Sequence, residues 1–250
     1  MKKYCCACLG VFLACLVLAC PAPAAEGHHW GYAGEFDPAN WHKADPAFGL
    51  CQDGRNQTPI DIKPRYDVAL PALKLLYDYK GESVLNNGHT IQVPFPSGNG
   101  LTVIGDRAFS LLQVHFHSPS ENTLNGQSFP MEAHFVHKDN DGNLLVLAVF
   151  FTEGEANPGI ASLWEHMPRQ AGKTAKLPEP FDPMRILPAS MDYIYFNGSL
   201  TTPPCSEGVR WCVLKTPLTV SKAQAEALVA VMHGPNNRPL QPANARPVLE

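Results

Sequence analysis

Two short apolar runs with histidines at alternating positions constrain the fold of this chain more than any other feature. His115 and His117 lie in the run 111–117, and His134 lies in the run 131–136. Residues two apart on a β-strand point to the same face, so His115 and His117 are expected to project together. If the two runs pair as antiparallel neighbours, all three imidazoles converge.

Three converging imidazoles with one open coordination position are the ligand set of a catalytic zinc ion. Gln113 shares a strand face with His115 and His117, and Glu132 shares one with His134. Both side chains can accept ring N–H bonds, which fix the tautomer and orientation of ligand histidines. Buried histidines on strands are more often core residues than ligands, but these neighbouring acceptors favour the metal interpretation.

Glu121 allows three interpretations: a metal ligand, an acceptor behind the ligands, or the cap of a turn. As a ligand it would complete the spacing His115-x-His117-x-x-x-Glu121, which begins a cupin motif of a different class of metalloenzyme. This cupin alternative is the weaker one, because Gly126 follows Glu121 too closely and the chain has no second cupin motif.

The rest of the chain predicts a mainly β (α+β) fold, a single domain on a large, mostly antiparallel sheet with a few short helices. The 24 prolines and 19 glycines favour many short strands. The predicted strands are 73–79, 83–86, 90–93, 101–104, 108–117, 131–137, 144–152, 193–196 and 209–216. One helix is predicted over 159–166, with Asn157 as its N-cap and Pro158 at its first position. Another is predicted from the capping box of Ser221 and Gln224 to His233.

The first 24 residues predict a signal peptide, with cleavage near Ala24. Lys2 and Lys3 form a basic start, and residues 9–19 form an apolar segment too short to span a bilayer. Lipoprotein processing at Cys20 is the minority alternative. We therefore expect a periplasmic or secreted protein with one domain over residues 25–250. The formal net charge of −4, without a basic stripe, argues against a nucleic-acid partner.

Removal of this segment leaves three of the eight cysteines, Cys51, Cys205 and Cys212. Cys212 lies in the apolar run 209–214, which is typical of a core strand, so we expect it to be a buried thiol. An exported protein can hold a disulfide, and Cys51 with Cys205 is the remaining pair.

Further polar segments extend along nearly the whole mature chain. They are His-Trp-Gly-Tyr at 29–32, Gln-Thr-Pro-Ile-Asp-Ile at 57–62, Asn-Asn-Gly-His at 86–89, Ser-Glu-Asn-Thr at 120–123, Gly-Ser-Leu-Thr-Thr-Pro-Pro at 198–204 and Arg-Pro-Leu-Gln-Pro at 238–242. With the two histidine runs, in this order, the chain resembles an α-class carbonic anhydrase of the exported bacterial type.

This resemblance implies a zinc enzyme that hydrates CO2 reversibly to bicarbonate and a proton through attack by zinc-bound hydroxide. His115, His117 and His134 would be the zinc ligands, with Gln113 and Glu132 behind them. Thr201 would donate a hydrogen bond to Glu121 and accept one from the hydroxide, and His89 would carry the proton to solvent.

The resemblance also assigns the surroundings of the site. The apolar wall for CO2 would consist of Val136, Val146, Leu200 and Trp211. Tyr32 and Thr202 would line the water path, and a Cys51–Cys205 disulfide would brace the Thr201 loop. The implied fold is a twisted sheet of about ten strands with zinc at the base of a conical cleft.

Partners follow from the same resemblance: sulfonamide and anion inhibitors, and by analogy a homodimer. A zinc-free binding protein of the same fold is the non-enzymatic alternative. Such proteins usually lack one or more ligand histidines, whereas all three are present here.

Overall fold

A computed structural model describes residues 29–96 and 100–250, and within them an eleven-stranded twisted sheet dominates the fold. The strands of this sheet are β2 (Leu73–Leu76), β3 (Gly81–Asn86), β4 (Ile91–Pro94), β5 (Leu101–Ile104), β6 (Arg107–His117), β8 (Met131–Lys138), β9 (Leu144–Glu153), β10 (Lys173–Phe181), β11 (Tyr193–Ser199), β12 (Glu207–Leu214) and β13 (Leu218–Val220). Two short strands, β1 (Asp61–Ile62) and β7 (Thr123–Leu124), pair in parallel outside it. The predicted signal peptide and Cys20 lie outside the described residues.

The sheet runs in the order β10-β3-β4-β6-β8-β9-β12-β11, so β6 and β8 are neighbours near its middle. Their pairing is antiparallel and sets His115 opposite His134. The other pairs are antiparallel too, except that β12 and β13 each run parallel to β9. The predicted sheet, large and mostly antiparallel, is therefore confirmed.

Side chains that alternate between the two faces of the central strands form two separate apolar cores. Val114 and Phe116 of β6 belong to the larger core on one face. The smaller core on the other face contains Val136, Val146 and Trp211. Because side chains alternate along a strand, His115 and His117 lie on the face opposite Val114 and Phe116, next to this smaller core.

The predicted strands all exist, with ends that differ by a few residues, but β1, β7, β10 and β13 were not predicted. Strand β10 contains Pro178 and Pro180 and pairs only with β3, at an edge of the sheet. Proline lacks the N–H that donates a ladder hydrogen bond, so within a sheet it occurs mainly at an edge. The two prolines also explain why the strand was not predicted, because proline in a sequence normally indicates a turn or loop.

The main helices are α3 (Ala161–His166) and α4 (Lys222–Val231), after the one-turn helices α1 (Trp41–Ala44) and α2 (Leu50–Asp53). The capping box of Ser221 and Gln224 is confirmed at the start of α4. The predicted cap of α3 is wrong, because Asn157 Oδ1 accepts from Gly159 N in a turn that precedes the helix. No helix in residues 29–96 and 100–250 has the length and apolarity to cross a membrane.

Candidate metal centre

Three imidazoles meet where β6 and β8 pair. The ring centroids are 4.9 Å apart for His115 and His117, 5.1 Å for His115 and His134, and 4.7 Å for His117 and His134. One ring nitrogen of each residue lies within 4.8 Å of the corresponding nitrogens of the other two. The antiparallel pairing of the two runs thus brings the three imidazoles together as expected.

The second ring nitrogen of each histidine faces an oxygen atom, with a hydrogen bond at His115 and His117 and a close contact at His134. The contacts are His115 Nδ1 with Gln113 Oε1 at 2.8 Å, His117 Nδ1 with the backbone oxygen of Asn236 at 2.7 Å, and His134 Nε2 with Glu132 Oε1 at 2.9 Å. Acceptors in these positions fix the tautomers and leave Nε2 of His115, Nε2 of His117 and Nδ1 of His134 for a metal.

The residues present fit a zinc ion. The Nε2 atom of His117 is buried without a hydrogen-bond partner, a state that a coordinated cation would relieve. Burial lowers the pKa of His117 to about 4. Burial, with the neighbouring histidines, also lowers the pKa of His115 and His134 well below the ordinary value. All three rings are therefore neutral at physiological pH, as metal ligation requires.

Glu132 is fully buried on β8 and is held by three hydrogen bonds beside its contact with His134. Its Oε2 accepts from the backbone N–H groups of Glu121 (2.8 Å) and Asn122 (2.9 Å), and its Oε1 accepts from Asn122 Nδ2 (2.8 Å). Burial raises the pKa of Glu132 to about 7, and these bonds oppose that rise. Asn122, to which the sequence assigned no role in the site, thus helps to hold the carboxylate against His134.

Glu121 points into the histidine cluster. Its Oε2 lies 3.4 Å from His117 Nε2 and 3.9 Å from His134 Nδ1, and its Oε1 accepts from Arg238 N at 2.9 Å. Burial raises the pKa of Glu121 to about 8, while hydrogen bonds from Arg238 N–H and the Thr201 hydroxyl lower it. The side chain therefore joins the metal cluster to the Thr201 loop.

The Thr201 loop comprises residues 200–206, between β11 and β12, and hydrogen bonds anchor it on both sides. Ser199 and Thr58 exchange two hydrogen bonds of 2.9 Å, and Trp211 Nε1 donates to Ser199 O at 3.1 Å. A Cβ atom on Gly198 would collide with Thr58 Oγ1, so this close approach requires glycine. Thr201 itself is buried. The loop is thus rigid at the hydroxyl that faces Glu121.

A disulfide joins Cys51 to Cys205 and closes the far end of this loop, as predicted. Cys212 is a buried free thiol, also as predicted. Next to the disulfide lies the buried guanidinium of Arg238, which donates to Cys51 O at 2.9 Å, to Gln57 Oε1 at 2.8 Å and to Thr58 O at 2.8 Å. The disulfide indicates folding in an oxidising compartment.

An apolar surface borders the histidines. The four residues expected to form it belong to one cluster or pack against it: Val136, Val146, Leu200 and Trp211. The ring of Trp211 meets His134 edge-on at 5.0 Å between centroids. A small apolar molecule resting on this surface would therefore lie beside the metal ligands.

His89 lies at the tip of the turn between β3 and β4, with its ring stacked on Trp30 at 3.6 Å and 5.2 Å from His29. Burial in this stack, with a smaller effect of His29, lowers the pKa of His89 to about 4. A histidine in an exposed turn would keep a pKa near 6.5. The difference arises from the stack, which a turn motif does not reveal.

The two remaining predicted residues lie near these groups. Tyr32 packs with Trp30 and Trp41, and its buried hydroxyl has no hydrogen-bond partner. Burial and the nearby Glu121 raise the pKa of Tyr32. Thr202 is partly buried in the Thr201 loop, where its backbone oxygen accepts from Cys205 N at 2.9 Å.

Comparison with known proteins decides the family. The family model for eukaryotic-type carbonic anhydrase matches residues 36–250. The chain belongs to the α-carbonic anhydrase family. A carbonic anhydrase of Neisseria gonorrhoeae is 47% identical over 241 residues, which cover 95% of each chain. One from Pectobacterium atrosepticum is 44% identical over 238 residues, 95% of this chain and 97% of the relative.

Solved structures agree with this membership. The α-carbonic anhydrase of Thermovibrio ammonificans, in complex with the inhibitor sulfanilamide, superposes with a TM-score of 0.87 at 45% identity. The match covers 90% of this chain and all of that one. Membership in the α-carbonic anhydrases excludes the cupin alternative. Zinc is the cofactor of this family, and His115, His117 and His134 form a potential site for it.

Proposed function

We propose that this protein catalyses the reversible hydration of CO2 to bicarbonate and a proton, with one zinc ion held by His115, His117 and His134. The observation that carries the proposal is the convergence of three neutral imidazoles beside an apolar surface. When bound, zinc lowers the pKa of a coordinated water to about 7 and so supplies a nucleophile at neutral pH.

Thr201 and Glu121 would orient the attack. The Thr201 hydroxyl donates a hydrogen bond to Glu121, which leaves the hydroxyl oxygen free to accept a hydrogen bond from the attacking oxygen. That arrangement would turn a lone pair of the nucleophile towards the carbon atom. Orientation of this kind lowers the activation free energy, because the loss of rotational freedom that the transition state requires has already occurred in the bound state.

The surface formed by Val136, Val146, Leu200 and Trp211 would receive CO2, an apolar molecule without a charge to be matched. Bicarbonate is charged and strongly hydrated, so the same surface holds the product poorly and favours its release. Tyr32 and Thr202 would line the path for water between the cleft and solvent.

His89 would carry the proton away. In the stack with Trp30 its pKa of about 4 lies below that of the proton donor, so uptake there is unfavourable. We infer that the ring leaves the stack when it accepts a proton, which brings its pKa towards the ordinary value near 6.5.

The test is stopped-flow CO2 hydration by the zinc-loaded protein, with metal analysis on the same sample. We expect one zinc per chain and activity that a sulfonamide abolishes, since the similar enzyme from Thermovibrio ammonificans binds sulfanilamide. His134→Ala should lose zinc and activity together. A protein without bound zinc and without CO2 hydration would point to the zinc-free binding protein. A protein that binds zinc but does not hydrate CO2 would equally overturn the proposal.

We also propose export to the periplasm or beyond, with a single domain over residues 25–250, and we retain the homodimer as a prediction. The disulfide and the basic, then apolar, start of the chain support export. N-terminal sequencing of the mature protein separates cleavage near Ala24 from lipoprotein processing at Cys20. Light scattering after gel filtration determines the oligomeric state.

A further inference from the structure

Asn236 connects three parts of the site although it lies in a segment without regular structure after α4. The residue is 1% exposed. Its backbone oxygen accepts from His117 Nδ1 at 2.7 Å. Its side-chain Oδ1 accepts from Ser118 N at 2.8 Å, and its Nδ2 donates to Phe116 O at 3.0 Å and to His89 O at 3.1 Å. One residue thus touches a metal ligand, the strand that carries it and the turn of His89.

A second side chain ties the same turn to the same strand. The Thr90 hydroxyl donates to Phe116 O at 2.5 Å and accepts from Phe116 N at 3.2 Å. Phe116 lies between two of the three histidine ligands, so the turn of His89 is fastened to the backbone of the metal centre. These groups are buried, and loss of either side chain would leave backbone groups unpaired.

We propose that Asn236 is a positioning residue that couples the metal centre to the proton-carrying turn. Its amide fixes the end of β6, and therefore the ring of His117, while it also fixes the backbone of His89. All three hydrogen bonds of the side chain are directed at these two elements, so a shift of one is transmitted to the other. This inference rests on the proposed function for the role of His89, whereas its structural part does not.

Asn236→Leu tests the coupling, because leucine has a similar size and makes no hydrogen bonds. Asn157→Leu is the matched control: Asn157 is also buried, accepts from Gly159 N and donates to Thr219 O, away from the metal centre. Near-UV circular dichroism establishes that each variant is folded. If Asn236→Leu does not fold, Asn236→Ser, which is smaller and polar, replaces it in every measurement.

Three readouts are expected to change in the Asn236 variant and not in the control. Zinc dissociation to a chelator should accelerate about 10-fold, the lower end of the effect of losing support behind a ligand. In zinc-saturated protein, kcat in dilute buffer should fall several-fold with kcat/KM nearly unchanged, because the loosened turn no longer holds His89 in position for proton transfer, and added imidazole should restore kcat. The His89 ring signals in NMR should titrate at higher pH, because a loosened turn releases the ring from Trp30.

Changes in zinc dissociation alone, or in the behaviour of His89 alone, would refute the coupling, and so would equal changes in Asn157→Leu. A wild-type protein without CO2 hydration would instead refute the proposed function. In that case zinc dissociation and the His89 titration, neither of which requires turnover, still decide whether Asn236 couples the two elements.

Discussion

The stacking of His89 on Trp30 shows how contacts of a single residue determine its chemistry. A ring packed at 3.6 Å against indole loses hydration on one face, and the charged form of imidazole depends on that hydration more than the neutral form does. The four histidines with large shifts inside the fold, His115, His117, His134 and His137, follow the same rule. Burial keeps them neutral, which suits ligands and core residues but opposes proton uptake.

For His89→Ala we expect zinc content and kcat/KM to stay near the wild-type values, because the residue lies outside the ligand set. The kcat value in dilute buffer should fall, by about 10-fold or more, since positioned proton transfer contributes at least that much. Stopped-flow measurements across a buffer titration, with and without imidazole, provide the check. Equal kcat for both proteins at every buffer concentration would show that another route moves the proton.

His137 should make the protein less stable in acid. Its ring is fully buried, contacts Tyr77 and Thr102 at 2.7 and 3.0 Å, and has a pKa lowered by burial to about 4. Between pH 6.5 and pH 4 the unfolded chain binds a proton at His137 and the folded chain does not, so stability falls as the pH falls. The loss over this window should amount to about 3 kcal/mol.

The measurement is the free energy of unfolding against pH, compared between the wild type and His137→Gln. The glutamine variant should be less stable at pH 7 but should show a shallower decline towards pH 4. The zinc ligands titrate alike in both proteins, so the difference in slope isolates His137. Parallel curves would contradict this assignment.

At the level of elements, the candidate site is built from the two histidine strands and from the loop between β11 and β12. The strands place the metal ligands by pairing, whereas the loop places one hydroxyl by tertiary hydrogen bonds and a disulfide. The proposed orientation of the attack would therefore depend on a loop that hydrogen bonds and a disulfide hold in place.

Thr201→Ala should retain zinc and lose most of the hydration rate, on the order of 100-fold, a typical cost of one oriented donor or acceptor in an active site. Thr201→Ser, which keeps the hydroxyl, should recover a large part of that rate. Zinc analysis and stopped-flow kinetics on both variants test this. Wild-type kinetics in Thr201→Ala would show that the hydroxyl does not orient the attack.

Local patterns in the sequence predicted the strands of the metal centre because alternation and antiparallel pairing are short-range properties. His115, His117, His134, Gln113 and Glu132 were found in this way. The supports from Asn236 and Arg238 could not be found, since they are 119 and 117 residues from the groups they contact and lie in an irregular segment. The stack of His89 was missed for a related reason: Trp30 comes from a distant part of the chain.

At the scale of the whole molecule, the disulfide joins residues separated by 154 positions, and the loop that it closes contains every predicted site residue except Tyr32 and Trp211. In the chain-entropy model a loop of this length stabilises the fold by up to about 5 kcal/mol. Because Cys205 also anchors the Thr201 loop, the disulfide stabilises both the whole fold and the position of the Thr201 hydroxyl.

Reduction of the protein should lower the melting temperature and the hydration rate while zinc remains bound. Cys212→Ala is the matched control and should respond to reductant as the wild type does, whereas Cys51→Ser/Cys205→Ser should not respond. Differential scanning calorimetry with and without reductant makes the comparison. A melting temperature of the wild type that is insensitive to reductant, with the bond shown to be reduced, would contradict the prediction.

The position of Asn236 and Arg238 near the end of the chain has a consequence for biosynthesis. His117 leaves the ribosome 119 residues before the backbone oxygen that orients its ring. A nascent chain therefore displays all three metal-binding histidines long before it can hold them in place. The three histidines can bind zinc tightly only after the segment that contains Asn236 has packed against them. A chain interrupted before Asn236 would therefore contain all three ligand histidines and still bind zinc weakly.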